Sequence, residues 1–245
     1  MLWYPVFYRE MLLFRKKILR FGYVFSSLLF PIIYLLAFGM WLGREITIGS
    51  RSYIEFLLPG IVAMTSMTNS FNLVLTALSM GRLYFKSFQV IKQSPIPPMS
   101  IMTGIVISGI VRGFIAAMVI VVVGAVIFGI MPFTHLSLLG LALNLLLFSS
   151  MGVVVGMLTK DPEDNAVYNN FFIMPMAFFS GTFFPIDRLP PIAKEIVTLL
   201  PLSYTNTLMR SQGIATAEIV SIAVLFLFSL VLFLYGARLI KNYSE

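Results

Sequence analysis

Few side chains in this 245-residue sequence have the spacing that chemistry needs. His135 stands in a short turn with no carboxylate and no second histidine beside it, so a solvated or satisfied imidazole is expected rather than a metal ligand or proton shuttle. The chain has no cysteine, which removes disulfides, thiolate metal sites and redox centres together. No Gly-x-x-x-x-Gly-Lys-[Ser/Thr] segment occurs, so no loop is built to cradle nucleotide phosphates. No nucleophile stands paired with a base, and the expectation is a chain that is not itself an enzyme and binds neither metal nor cofactor.

Arg112 is different, because it interrupts an otherwise apolar run. A centrally placed arginine costs roughly 2.5 to 3.5 kcal/mol on insertion scales and needs a partner. No Asp or Glu falls inside any apolar run, so three partners stand open: a lipid phosphate reached by snorkelling, backbone carbonyls, or an anionic ligand. Asn69, Asn72, Asn144, Asn169 and Asn170 are the other polar groups expected at depth, either lining a path or bonding neighbouring helices. Proton-coupled and ion-coupled carriers usually place a carboxylate or an unwound ion site in the membrane, and the spans offer no such carboxylate.

The elements that hold these groups follow from composition. Hydrophobic residues make up 59% and charged residues 11% of the chain, with mean hydropathy +0.95, more apolar side chain than a water-soluble domain can hide. Charge-poor runs predict an all-α integral membrane protein with six transmembrane helices, at about 21–43, 56–81, 101–130, 136–158, 166–186 and 219–237. Lys and Arg crowd the segment before the first span (Arg9, Arg15, Lys16, Lys17, Arg20) and the loop after the second (Arg82, Lys86, Lys92). Fewer lie in the two long loops opposite, which places both termini in the cytoplasm. The net charge of +7 belongs to this orientation rather than to nucleic acid, since the cations flank spans instead of forming one patch.

Three shorter elements carry the remaining signal. Within residues 1–20, Trp3, Phe7, Met11, Phe14 and Ile18 share one helical face, while Arg9, Lys16 and Arg20 occupy the other. That pattern describes an amphipathic helix at the membrane interface, serving as a topology anchor or as a lever moved by a partner. In Arg82–Gln93, a helix would group Arg82, Lys86, Gln89 and Gln93 on one side and Tyr84, Phe88 and Ile91 on the other, until Ser94-Pro95 and Pro97-Pro98 stop it. Such a piece either obeys the positive-inside rule as a basic loop or docks in a groove on another protein. The connection Thr159–Asn165 reads as a turn with a helix cap at Asn165. Finally, the run from Phe178 to Arg210 breaks at Gly181 and Pro185 and restarts at Pro190 and Pro191, with Ile192, Ile196 and Leu199 on one face until Pro201. Its pieces are too short to cross a bilayer, which predicts a re-entrant hairpin between the fifth and sixth spans. Broken backbone at that depth survives only when buried in protein or lining a polar cavity.

Taken together, Ser180-Gly181, Phe184-Pro185, Leu189-Pro190, Pro201-Leu202-Ser203-Tyr204 and Arg210 resemble the signature of the membrane subunits of type-2 ATP-binding-cassette exporters, a family that moves lipooligosaccharides, polysaccharides and hydrophobic drugs. Leu58-Pro59-Gly60 and Ser94-Pro95 match as well, and the similarity covers nearly the whole chain. The resemblance implies an N-terminal interface helix over residues 1–20 and a coupling helix over Arg82–Gln93 that docks on a separate ATPase subunit through Tyr84 and Phe88, beside Lys86 and Ile91. It further implies an outer hairpin, marked by Gly181, Pro185, Pro190, Pro201 and Tyr204, closing a pathway between two permease copies, either identical or similar. ATP and magnesium would then belong to two copies of the partner ATPase. The expected setting is a multi-pass protein of a bacterial or archaeal plasma membrane, in contact with its lipid, and the expected cargo is amphipathic or lipid-linked. A secondary carrier or channel working without ATP, and a non-transporting membrane anchor, are the competing readings.

Overall fold

The computed structural model describes residues 2–18, 21–41, 47–48, 51–131 and 133–243. It is built almost wholly of helices: α1 (Tyr4–Ile18), α2 (Phe21–Trp41), α3 (Tyr53–Ser79), α4 (Ser87–Gln93), α5 (Pro98–Phe128), α6 (His135–Leu158), α7 (Asp164–Tyr168), α8 (Met174–Phe179), α9 (Pro191–Thr198), α10 (Pro201–Arg210) and α11 (Thr216–Asn242). One two-residue antiparallel ribbon, Thr47–Ile48 with Arg51–Ser52, precedes α3 and departs from a purely helical expectation. Among the described residues, four segments are long and apolar enough to cross a bilayer: Tyr53–Tyr84, Pro98–Phe128, His135–Leu158 and Thr216–Asn242. α2 contributes a shorter apolar stretch, Leu28–Trp41.

The bundle is organised around α3, which packs on both α5 and α6, with α11 against α6. Its centre joins Leu57, Leu58, Ile61, Phe71, Ile120 and Phe148, all nearly inaccessible. Gly109 and Gly113 of α5 and Gly152 and Gly156 of α6 all abut α3, so their four-residue spacing marks close helix contact. Gly43, spaced from Gly39 in the same way, lies outside the described residues.

The fifth expected span differs most from its sequence reading. Its helix begins at Asp164, widens into a π-turn over Asn169–Ile173 and ends at Phe179, well short of the expected end at Ile186. At about 1.5 Å per residue the whole piece is roughly 24 Å long. The turn that stops it places Gly181 at φ +74°, a conformation that side chains other than glycine rarely adopt. A short 3₁₀ turn, Ile186–Arg188, then leads to α9, which starts at Pro191 because the first helical turn has no need of that N–H.

One cap accounts for a boundary that composition leaves open. Thr134 Oγ1 accepts from the Ser137 amide at 3.1 Å while Ser137 Oγ accepts from the Thr134 amide at 2.7 Å, so α6 starts on a reciprocal cap. At α7 the expected cap at Asn165 is not formed: the residue before the helix is Glu163, with no side-chain cap bond, and the Asp164 carboxylate accepts from the Asp161 amide in the preceding turn at 3.1 Å. Asn165 instead donates to Ser79 Oγ at 2.7 Å, tying α7 to α3.

Candidate functional site

Two clusters of charged and polar groups sit at opposite ends of the bundle. At the hairpin end, Arg210 closes α10 and spreads its guanidinium over three carbonyls: Nε donates to Phe56 at 3.0 Å, Nη1 to Gly181 at 2.8 Å and Nη2 to Thr182 at 3.0 Å. Its charged carbon lies 3.6 Å from the centre of the Phe56 ring. The planar fork suits this task, since its donors point outward in fixed directions. Gly60 completes the junction, because a Cβ there would meet Arg210 Nη2 at 2.6 Å and the Thr182 carbonyl oxygen at 2.8 Å. Three motifs far apart in sequence, around Gly60, Gly181 and Arg210, are thus one knot.

Buried amides extend that knot inward. Asn206 Nδ2 donates to the Ser180 carbonyl at 2.8 Å, and Asn144 Nδ2 donates to Ala63 O at 3.1 Å and Ser66 Oγ at 2.8 Å. Thr205 Oγ1 donates to Asn144 Oδ1 at 3.0 Å, so α3, α6 and α10 share one polar seam that apolar neighbours shield from water. Tyr53 also donates its hydroxyl to Phe183 O at 2.9 Å. Pro201 opens α10, Pro190 sits just before α9, and Tyr204 and Pro185 border a cavity of about 530 Å³ together with Phe56, Asn206 and Arg210. The apolar face of α9 that periodicity picks out, Ile192, Ile196 and Leu199, is exposed.

At the other end, α1 packs along α5. The contacts run in the same sense on both helices, with Trp3 to Phe7 against Gly104 and Glu10 with Phe14 against Arg112. The buried stripe of α1 is Val6, Glu10 and Phe14, so the covered face is centred on an acid that the sequence reading did not single out. Glu10 supplies what Arg112 lacks. Arg112 Nη2 donates to Glu10 Oε2 at 3.0 Å and to the Glu10 carbonyl at 2.7 Å, and its guanidinium carbon lies 5.2 Å from the Phe14 ring centre. The acid comes from the amphipathic helix rather than from any span, which corrects the expectation that no carboxylate reaches Arg112.

Glu10 is shared. Its Oε1 accepts from Arg9 Nη1 at 2.8 Å, and Arg9 Nη2 donates to Ser87 Oγ at 2.8 Å, at the start of α4. Arg9 therefore points inward instead of lying on a free polar face with the exposed Lys16. Arg20 and the side chain of Ile18 lie outside the described residues.

The segment expected as one helix over Arg82–Gln93 is two pieces. α3 runs on through a π-turn, Met80–Tyr84, and the chain breaks at Lys86, which takes the left-handed conformation at φ +52°. The break rotates the two halves apart, correcting the grouping of Tyr84 with Phe88 and Ile91. Phe88 and Ile91 are buried against Val74, Leu78, Ile101 and Ile240 within this chain, whereas Tyr84, Phe85 and Val90 stand 65 to 70% exposed. Several bonds hold the buried side: Arg82 Nη2 donates to the Thr159 carbonyl, and Lys92 Nζ donates to the carbonyls of Ile240 at 2.9 Å and Lys241 at 2.8 Å. Phe88 meets the Tyr243 ring edge-on at 5.5 Å.

Of the asparagines, Asn72 donates to Asn169 Oδ1 at 2.9 Å and Asn169 contacts Asn170 at 3.4 Å, so three of them meet at the π-turn of the short fifth helix. Asn69 does not join them and donates to Thr65 O of its own helix at 3.0 Å. Asn170 opens onto an apolar groove of about 520 Å³ formed by Phe38, Met174, Pro175, Phe178, Phe179, Phe183 and Phe184. Among the described residues, no group of three or more His, Asp or Glu is placed to hold a metal ion.

Comparison with known proteins bears on this geometry. The family described as "ABC-2 type transporter" matches residues 6–212. The chain is 27% identical over 199 residues to the inner membrane transport permease YadH of Escherichia coli K12, covering 77% of this chain and 76% of that protein. It is 29% identical over 252 residues to nodulation protein J of Rhizobium leguminosarum bv. viciae, covering 98% and 94%. The corresponding protein of Rhizobium leguminosarum bv. trifolii is 30% identical over 213 residues, covering 85% and 79%.

Proposed function

We propose, from the premise that this chain belongs to the ABC-2 type transporter family, that it is the permease half of an exporter driven by a separate ATP-binding-cassette subunit. The observation that carries this reading is the exposed triad Tyr84, Phe85 and Val90, presented on a segment whose opposite face is fastened by Arg82, Phe88 and Lys92 to the ends of α6 and α11. An apolar projection backed by a firm base is what a docking partner needs in order to push on a membrane domain. Two ATPase copies would bind two permease copies, with residues 1–20 and both termini on the cytoplasmic side, at a bacterial or archaeal inner membrane. ATP and magnesium belong to the partner.

In this reading α2 and the short helix over 164–179 complete six spans. Both leave large side chains uncovered, among them Phe30, Met40, Phe171 and Phe179, and the aromatic groove lies between them. A second permease copy facing this side would enclose a path lined by phenylalanine with Asn72, Asn169 and Asn170 at its polar edge. Such a lining favours an amphipathic or lipid-linked cargo: a glycolipid, a lipid-linked polysaccharide or a hydrophobic drug. The knot at Arg210 would hold the outer hairpin in place.

The test is co-expression with the candidate ATPase subunit, followed by co-purification and ATPase measurement in liposomes. A stable complex with two copies of each subunit, weakened by Tyr84→Ala with Phe85→Ala, supports the reading. Cargo flux through vesicles holding this chain alone, without nucleotide, overturns it in favour of a carrier or channel.

A further inference from the structure

A carboxylate buried on an otherwise apolar helical stripe asks for a reason beyond anchoring, since Leu or Met at the same place would anchor α1 more simply. Glu10 is 6% exposed and Arg112 4% exposed, and the acid divides its two oxygens between arginines that lead to different elements. Arg9 carries the link to Ser87 at the start of α4, and Arg112 carries it to the middle of α5. One helical turn from Arg112, Gly109 touches Val74 of α3 and Ser149 of α6, while Gly113 beside it touches Ser70 and Leu145. A displacement at α4 therefore has a polar link through Glu10 to α5, and close packing at Gly109 and Gly113 carries it on to α3 and α6.

We infer that Glu10 is a positioning residue which locks α1, α4 and the middle of α5 into one rigid body, so that movement imposed on the exposed α4 segment reaches the centre of the membrane domain. The inference rests on the exporter reading above and adds to it the residue that makes the transmission stiff. Removing one partner of a buried pair strands the other charge, so the pair stays closed while the body moves. The Arg112 grip on both the carboxylate and the main-chain carbonyl of Glu10 fixes the helix as well as the side chain. Compliance is left to the strained backbone at Lys86 and the π-turn before it.

The absence of native cysteine permits a cargo-free test. A spin label at Trp41→Cys, 83% exposed at the far end of α2, reports the separation of the two permease copies in the complex with the ATPase subunit, read by pulsed electron resonance with and without ATP. With the remaining sequence unchanged, ATP is expected to shift the distance distribution. Glu10→Gln is expected to lower the shifted population roughly tenfold while subunit association and basal hydrolysis stay within about twofold. The double variant Glu10→Leu with Arg112→Met keeps the packing without charge, folds, and is expected to lose the shift as well, because Arg9 no longer connects to α5. An ATP-driven shift of unreduced size in either variant overturns the inference and leaves a packing role. If the complex carrying native Glu10 shows no shift, the exporter reading itself falls, so the two failures are told apart by that control.

Discussion

The two ends of this bundle each hold a partly or fully buried arginine, and they satisfy it by opposite means. Arg210 bonds three carbonyls and stacks on Phe56, partners that belong to backbone and ring. Arg112 instead bonds an acid that it shares with a second arginine on a helix outside the spans. Carbonyl dipoles are fixed by the fold and hold a loop in one shape. A shared carboxylate joins side chains from separate elements and so can join bodies that move. The hairpin end is a fastening and the α4 end a linkage.

Breaking the fastening gives the largest expected effect. Arg210→Met removes a donor from three carbonyls, and at about 1 to 3 kcal/mol each the loss is roughly 3 to 9 kcal/mol, read as a fall in thermal midpoint in detergent or as loss of expression. Next comes Phe88→Ala, which empties a fully packed site and is expected to cost about 3 to 4 kcal/mol. It unfolds the α4 end by the same measurement rather than undocking a partner, and so separates the buried half of this segment from its exposed half. Gly60→Ala drives a Cβ into Arg210 and Thr182 and is expected to destabilise by about 1 to 3 kcal/mol. A midpoint equal to that of the unchanged protein would show that the knot yields. The exposed half behaves differently: Tyr84→Ala with Phe85→Ala leaves the midpoint in place and weakens ATPase binding about tenfold, or roughly 1.4 kcal/mol, read by titration of the purified subunits. Lys86→Gly is the smallest, a gain of about 1 kcal/mol from relief of the left-handed backbone.

What the sequence disclosed, and what it hid, divides along the same line. Runs free of charge locate α3, α5, α6 and α11 to within a few residues, because bilayer thickness demands length and apolarity together. The breaks at Gly181 and Pro190 are legible for a similar reason, since few residues tolerate those conformations. Lys86 is not legible: nothing in its side chain forecasts a positive φ, and one unmarked break is enough to turn Phe88 inward while Tyr84 stays out. Glu10 was hidden by a different cause. The spacing Val6, Glu10, Phe14 is a helical stripe readable by position, but an acid on it breaks the apolar pattern that such a search follows. Only the partner, a hundred residues later at Arg112, explains it. The convergence of Gly60, Gly181 and Arg210 likewise required three-dimensional proximity, even though each motif could be picked out along the chain.

The Lys92 ammonium grips two carbonyls in the last turn of α11, at Ile240 and Lys241. The end of α11 is thereby moored to the segment that presents Tyr84 and Phe85, which makes it a natural vantage point. A fluorophore coupled just beyond Tyr243 would brighten or dim as that neighbourhood is occupied, giving a reporter of subunit arrival that leaves the membrane interior untouched.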